Sequence, residues 1–251
     1  MGQFIDWVDK LKRYYSFTPS EVKGVIIAIL VLAFIISFRE WGKEGQFSAA
    51  IGLFNFFNAV LIVAFSMLIH ISVQRMWSLA TGHRVEWRMW SFGLLLGLIF
   101  AFLSNGRIWL LLPGGIIIHH LAGHRLGWFR YDINFWALAL IAVTGCYATI
   151  TLAAIMKGIS GIVSTSLLQK AIAFNVAYAL YSMIPIPPLD GARTFYGSRM
   201  LYAFSVFGIV SAAILLHMNI SVILAAIFSF IIAVVLWISY YIVFEDKAWN
   251  P

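Results

Sequence analysis

The sequence predicts an all-α polytopic membrane protein, and three observations carry that prediction. Of its 251 residues 62% are hydrophobic and only 11% charged, where a soluble domain carries about 25% charged residues. The mean hydropathy is +0.92. Apolar runs long enough to cross a bilayer, which takes roughly 20 helical residues, recur along the chain with short polar breaks between them.

Residues 1–17 come first. Phe4, Val8, Leu11 and Tyr15 recur at helical spacing among Asp6, Asp9, Lys10, Lys12 and Arg13, the pattern of an amphipathic helix lying on a membrane surface. The same mixture of charges leaves no short apolar core for a signal peptide. Met1-Gly2 is similar to the start of a myristoylation site, but Asp6 stands where Ser or Thr is expected.

Thr18-Pro19-Ser20-Glu21 opens the first span, 18–38. Thr18 is the N-cap, Pro19 takes the first helical position and Glu21 closes a capping box. The second span covers 48–73, where Asn55 and Asn58 suit hydrogen bonds to a neighbouring helix. Further spans are expected at 135–156, 160–184, 200–218 and 220–244. All six belong to one membrane domain, 18–251. The stretch 92–118 breaks the pattern, with two apolar legs of about a dozen residues around Ser104-Asn105-Gly106-Arg107. As helix each leg covers only about 18 Å of a core about 30 Å thick. A β-hairpin or re-entrant insertion that does not span is expected there, buried in protein because lipid cannot satisfy irregular backbone.

The net charge of +7 does not point to nucleic acid. In a membrane protein basic residues mark the cytoplasmic side. With the N-terminus inside, Arg39, Lys43, Arg107 and Lys157 fall outside, Lys170 falls within a span, and the other twelve of the 17 Lys and Arg fall inside. That bias predicts a multi-pass protein of the cell membrane with a cytoplasmic N-terminus. The single cysteine, Cys146, excludes an internal disulfide and a C-x-x-C metal site. Tryptophans such as Trp77, Trp87, Trp90 and Trp128 fit an aromatic belt at the membrane interfaces, and His217, near a helix end, reads as an interface residue.

Two ionisable groups stand inside or beside apolar spans, His70 and Asp190. Such groups are costly at membrane depth and usually face a protein cavity or a functional path. Under the predicted topology both fall near cytoplasmic ends, so one cavity is expected to hold both. Around His70 the sequence reads LIHISVQRMWSLATGHRVEWRMWSFG, followed by GRIWLLLPGG. Further on come TGCYATI and then SMIPIPPLDG.

This ordered series resembles the site-2 protease family of intramembrane zinc metallopeptidases (peptidase M50), in a degenerate, archaeal-type form, over about residues 48–200. The family carries H-E-x-x-H inside a span. The two histidines, at i and i+4 on one helix face, bind zinc, and the glutamate takes a proton from the bound water. Its G-P-x-x-N segment matches at Gly145, with Cys146 for Pro and Thr149 for Asn. Its N-x-x-P-x-P-P-L-D-G segment, whose Asp supplies the third zinc ligand, matches at Pro185, Pro187, Pro188, Leu189, Asp190 and Gly191, with Ser182 for Asn. His70 stands at the first ligand position. Ile71 replaces the catalytic glutamate and Gln74 the second histidine.

Those departures matter chemically. The protein ligands fall from three to two, whereas catalytic zinc sites keep three. Ile71 can neither take nor give a proton, and a general base is worth about 100- to 10,000-fold. The resemblance therefore implies a site-2 protease-like helical fold that is catalytically inactive and needs no cofactor. Its partners would be the lipid bilayer and the transmembrane helix of a client or partner membrane protein, held partly unwound beside the hairpin. It would serve as an adaptor, a chaperone or a complex subunit.

The alternatives stay open at this point. A zinc endopeptidase with a remodelled site would use His70, Asp190 and a histidine from 119–124. A transporter or channel would need polar groups facing one another through the spans and a helical repeat, and neither is visible. His70 alone also suits a buried histidine bonded to a backbone carbonyl, and Asp190 a turn or helix-cap residue. In His119-His120-Leu121-Ala122-Gly123-His124, His120 and His124 stand at i, i+4 and would pair on a metal if helical. Gly123 weakens such a helix, and with Arg125, Trp128 and Arg130 nearby the segment reads rather as a polar headgroup loop.

Overall fold

The computed structural model describes residues 2–43, 46–120, 134–162, 165–218 and 220–245. The chain divides into two compact units, Met1–Asp132 and Ile133–Pro251.

The first unit opens with α1 (Gly2–Tyr14). It carries the ion pairs Asp6–Lys10 at 2.6 Å and Asp9–Arg13 at 2.9 Å, the first partly and the second fully exposed, and such pairs stabilise little. One of its faces is used on protein. Trp7 Nε1–H donates to Met76 O at 3.0 Å, and the Tyr15 hydroxyl bonds Ser72 Oγ at 2.8 Å just past the helix end. The amphipathic stripe expected to meet lipid thus spends part of itself on a neighbouring helix.

Helix α2 (Pro19–Ser37) starts as its sequence dictates. Thr18 Oγ1 accepts the Glu21 N–H at 3.3 Å, and Glu21 Oε2 accepts the Thr18 N–H at 3.3 Å. A short ladder of β1 (Gly42–Lys43) with β2 (Gln46–Phe47) follows. Helix α3 then runs Ala49–Ala80, 32 residues or about 48 Å. It continues two turns beyond the apolar run that ended at residue 73. Asn55 Nδ2 donates to Glu40 O at 2.9 Å and ties α3 to the chain after α2.

Of the two forms expected for the insertion at 92–118, a β-hairpin or a re-entrant element, no hairpin forms within the segment. Its first leg is α4 (Ser91–Leu103), and the second ends in β4 (Gly114–His120). The two do not pair with each other. β4 pairs antiparallel with β3 (His83–Met89), upstream of the expected insertion, in the register His83–His120 through Met89–Gly114. Strand β3 buries His83, Val85 and Trp87 and leaves Arg84, Glu86 and Arg88 more open, the alternation of a strand with one covered face. Glycine sets how the return leg lies. A Cβ on Gly93 would stand 2.5 Å from Leu112 O, and one on Gly97 2.5 Å from Leu110 O, so only a bare helix face lets the extended chain lie on α4. Asn105 and Gly106, at φ 50° and 68°, make the reversal between them, and the Gly106 N–H closes onto Ala101 O at 2.7 Å. Phe102 meets Phe38 edge-on at 4.9 Å, so the tip of α4 reaches the end of α2.

In the second unit polar caps start most helices. Asn134, Thr165, Ser198 and Ser221 accept the N–H three residues on, at 3.2–3.3 Å. They open α5 (Phe135–Ser160), α6 (Ser166–Ser182), α8 (Arg199–His217) and α9 (Val222–Tyr240), the last running into a π-helical turn at Tyr241–Glu245. The short α7 (Asp190–Gly197) stands between α6 and α8. Val143, Cys146, Ile150, Ile172, Val176 and Ile209 centre its core. Among the described residues five helices are long and apolar enough to cross a bilayer: α2, α3, α5, α8 and Val222–Glu245. The residues expected to make a span at 160–184 carry α6, which has 17 residues and covers about 26 Å. Large apolar side chains on α9 lie open, among them Ile223, Phe230 and Val235, and so wide an apolar surface needs a nonaqueous neighbour.

Candidate functional site

On α3 the residues Ser66, His70, Gln74 and Ser78 follow one another at i, i+4 and all are buried. They form a polar stripe down the inner face of an otherwise apolar helix. Ile71 and Met67, fully buried beside it, complete that face. The extension of α3 past residue 73 places Gln74 and Ser78 inside the protein instead of at a frayed end.

The zinc implied by the resemblance is tested by this donor set. His70 supplies one imidazole. Position 71 is an apolar side chain with 0% exposure, and position 74 an amide. Neither replaces the missing ligand or base, so α3 does not fit a catalytic zinc. Among the described residues no three His, Cys, Asp or Glu side chains gather into a group able to hold a metal.

Sequence reasoning missed a buried and densely bonded polar node of this unit. Arg75, 1% exposed, makes an ion pair with Glu21 through Nη2 and Oε1. Its Nη1 donates to Tyr15 O at 3.0 Å and Ser16 O at 2.6 Å. The guanidinium lies 4.0 Å from the centroid of the Phe17 ring, a cation–π distance. Glu21 Oε1 also accepts the Trp87 N–H at 3.0 Å. One pair thus ties together the α1–α2 link, the start of α2, α3 and the outer edge of β3. Glu21 reads in sequence as a cap and Arg75 as a topology marker. The missed signal is that apolar spacing on α3 continues through Leu79, so a charge at 75 had to be buried and therefore paired.

In the second unit the SMIPIPPLDG segment links α6 to α7 through a cis Pro187–Pro188 bond. Asp190 opens α7, its side chain 2% exposed, and its main-chain carbonyl accepts the Thr194 hydroxyl at 2.9 Å. Gly191 follows for a steric reason. A Cβ there would stand 2.2 Å from the Met183 carbonyl, so only glycine lets α7 close onto the end of α6. The Asp190 carboxylate acts electrostatically on Cys146 of α5, Tyr178 of α6 and Arg193 of α7. Burial lowers the pKa of Arg193 and Asp190 opposes that shift; the guanidinium stays protonated. Gly145 is buried on α5 and Ser182 at the end of α6. Thr149 is buried too, but its hydroxyl is committed to Gly145 O at 3.2 Å and Cys146 O at 2.9 Å. Pro185 lines a cavity of about 180 Å³ with Leu180, Met183, Tyr202 and Val206.

The structure therefore gathers His70, Ile71 and Gln74 on one buried face in the first unit. It gathers Asp190, Gly191 and the proline turn against α5 and α6 in the second. The alternative metal pair changes character. His120 is the last residue of β4, so it does not share a helix with His124, which lies outside the described residues together with Arg125, Trp128 and Arg130. His119 stands 3.9 Å from Glu86 across the ladder. His217 bonds Ala213 O through Nδ1 at 2.8 Å. No family model, no curated protein and no solved structure matches this chain.

Proposed function

We propose that this chain is a catalytically inactive, site-2 protease-like protein of the cell membrane that holds a transmembrane segment of a partner protein. The observation that carries the reading is the buried face of α3, where His70 is kept while an isoleucine and a glutamine occupy the base and second-ligand positions. A polar stripe inside an apolar helix is costly to keep. Its retention without the catalytic groups supports a binding role.

The β3–β4 ribbon is the seat for the partner in this reading. Among the described residues β4 pairs with β3 alone, and an edge of this kind accepts an extended segment as a further strand. Apolar Ile116, Ile117 and Ile118 flank the main-chain groups that such a segment would meet.

Two measurements test the reading. A photoreactive side chain at Ile117 should cross-link an apolar segment of another membrane protein, and one at Arg13 should not. No cross-link at 117, or equal yields at both, would sink it. The unmodified protein should leave membrane-spanning peptides uncut, and cleavage abolished by His70→Ala would favour the remodelled protease. Installing Glu at 71 and His at 74 together should raise zinc affinity at His70.

A further inference from the structure

We infer that the second unit binds a phospholipid with a primary-amine headgroup, of the phosphatidylethanolamine kind. One acyl chain enters the cavity beside Pro185, and the headgroup lies between Arg199 and Glu245. The inference does not depend on the functional reading above.

The cavity, about 180 Å³, lies where the end of α6 and the proline turn meet α8. Its walls include Leu180, Met183, Pro185, Tyr202, Val206 and Val210. The donors around the turn are committed. The Tyr202 hydroxyl donates to Met183 O at 3.1 Å. The Met183 N–H goes to Leu180 O and the Ile184 N–H to Tyr181 O, each at 3.2 Å. Pro185 has no N–H. An apolar occupant therefore strands none of these donors. Size then decides the occupant. An apolar cavity of about 150 Å³ takes a benzene ring, whereas a helix with its side chains is at least about 10 Å across. A stretch of acyl chain fits, and a whole helix does not. The surroundings supply such chains, because α8 is long and apolar enough to cross a bilayer. Val210 lines the cavity and is exposed, so the cavity opens outward at that side.

The headgroup follows from charge. On α8, Arg199, Val206 and Val210 stand at i, i+7 and i+11, a row on one helix face. Arg199 is therefore at the head of the groove, about 10 Å along the axis from Val206. It starts one candidate span and Glu245 ends the next, so both belong to one membrane face. Trp237 Nε1–H donates to Met200 O at 3.1 Å and ties those two ends together. Arg199 Nε stands 3.9 Å from Glu245 Oε1, longer than a hydrogen bond, and the arginine is exposed. A cation and a carboxylate side by side at this spacing match a zwitterionic headgroup. The phosphate takes the guanidinium and the ammonium takes the carboxylate. A quaternary ammonium has no N–H to give and loses the second contact. An anionic headgroup without an amine meets Glu245 as a like charge.

The test is native mass spectrometry of the full chain in detergent micelles. It is titrated with phosphatidylethanolamine, phosphatidylcholine and phosphatidylglycerol of matched acyl chains. The first should bind about tenfold more tightly than the other two, the worth of one hydrogen bond to a charged group. Glu245→Gln should remove that preference, and Arg199→Gln should weaken all three. Val210→Trp fills the cavity from its exposed side and should also weaken all three, with the helical fold followed by circular dichroism. In the unmodified protein, phosphatidylethanolamine with a photoreactive acyl chain should label α8 between residues 202 and 210. Equal binding of the three lipids would overturn the proposal, as would labelling spread evenly along α8 and α9. So would a photoreactive side chain at Val210 that cross-links another protein or a second copy in place of lipid.

Discussion

At the scale of single residues, charge burial sets the largest stakes. Arg75 and Glu21 are both about 1% exposed and paired. Replacing such a pair by apolar groups is often tolerated, but removing one partner leaves an uncompensated buried charge. Glu21→Ala should therefore cost about 3–5 kcal/mol in a denaturation titration in mixed micelles. A double change of Glu21→Leu with Arg75→Met should recover part of the loss. Gly191 makes a different argument. Its missing side chain is what lets Asp190 sit under the end of α6, so Gly191→Ala should lower stability by about 1–3 kcal/mol through overpacking. If that variant unfolds with the parent, the close approach does not constrain the turn. The glycine and aspartate stood out in the sequence, but the contact that requires the glycine did not, because the carbonyl it spares belongs to Met183, eight positions earlier.

At the scale of elements, starts were more legible than partners. The Thr18-Pro19-Ser20-Glu21 cap was readable because each residue acts on its own helix end, and Thr165, Ser198 and Ser221 act likewise. What local spacing could not supply was the pairing of β3 with β4, separated by the whole of α4. The short legs of 92–118 did signal a break, but the glycines at 93 and 97 that favour a return leg over a hairpin carry their meaning only through Leu110 and Leu112. Gly97→Leu should therefore lift the leg from α4. Hydrogen exchange of amides 108–112 should quicken by at least tenfold while α2 amides stay protected. Unchanged exchange there would show that the leg is held by other contacts. The length of α3 was hidden for a related reason: polar Gln74 and Arg75 break the apolar run at 73, yet both are covered and the helix goes on.

At the scale of the molecule, composition alone foretold long apolar helices, and the described residues hold five of membrane-crossing length. His70 and Gln74 in the first unit, and Asp190 in the second, were legible as residue types, since all are buried polar groups in apolar surroundings. The chemistry was not legible, because the node at Arg75 arises from chain segments far apart in sequence. The central claim is that the α3 face around His70 has given up zinc catalysis and kept a binding role. Zinc content of the purified chain after dialysis tests this most directly. The account predicts no zinc retained through His70 and the appearance of retained zinc when Glu and His are installed at 71 and 74. One zinc per chain in the unmodified protein, lost on His70→Ala, would contradict it.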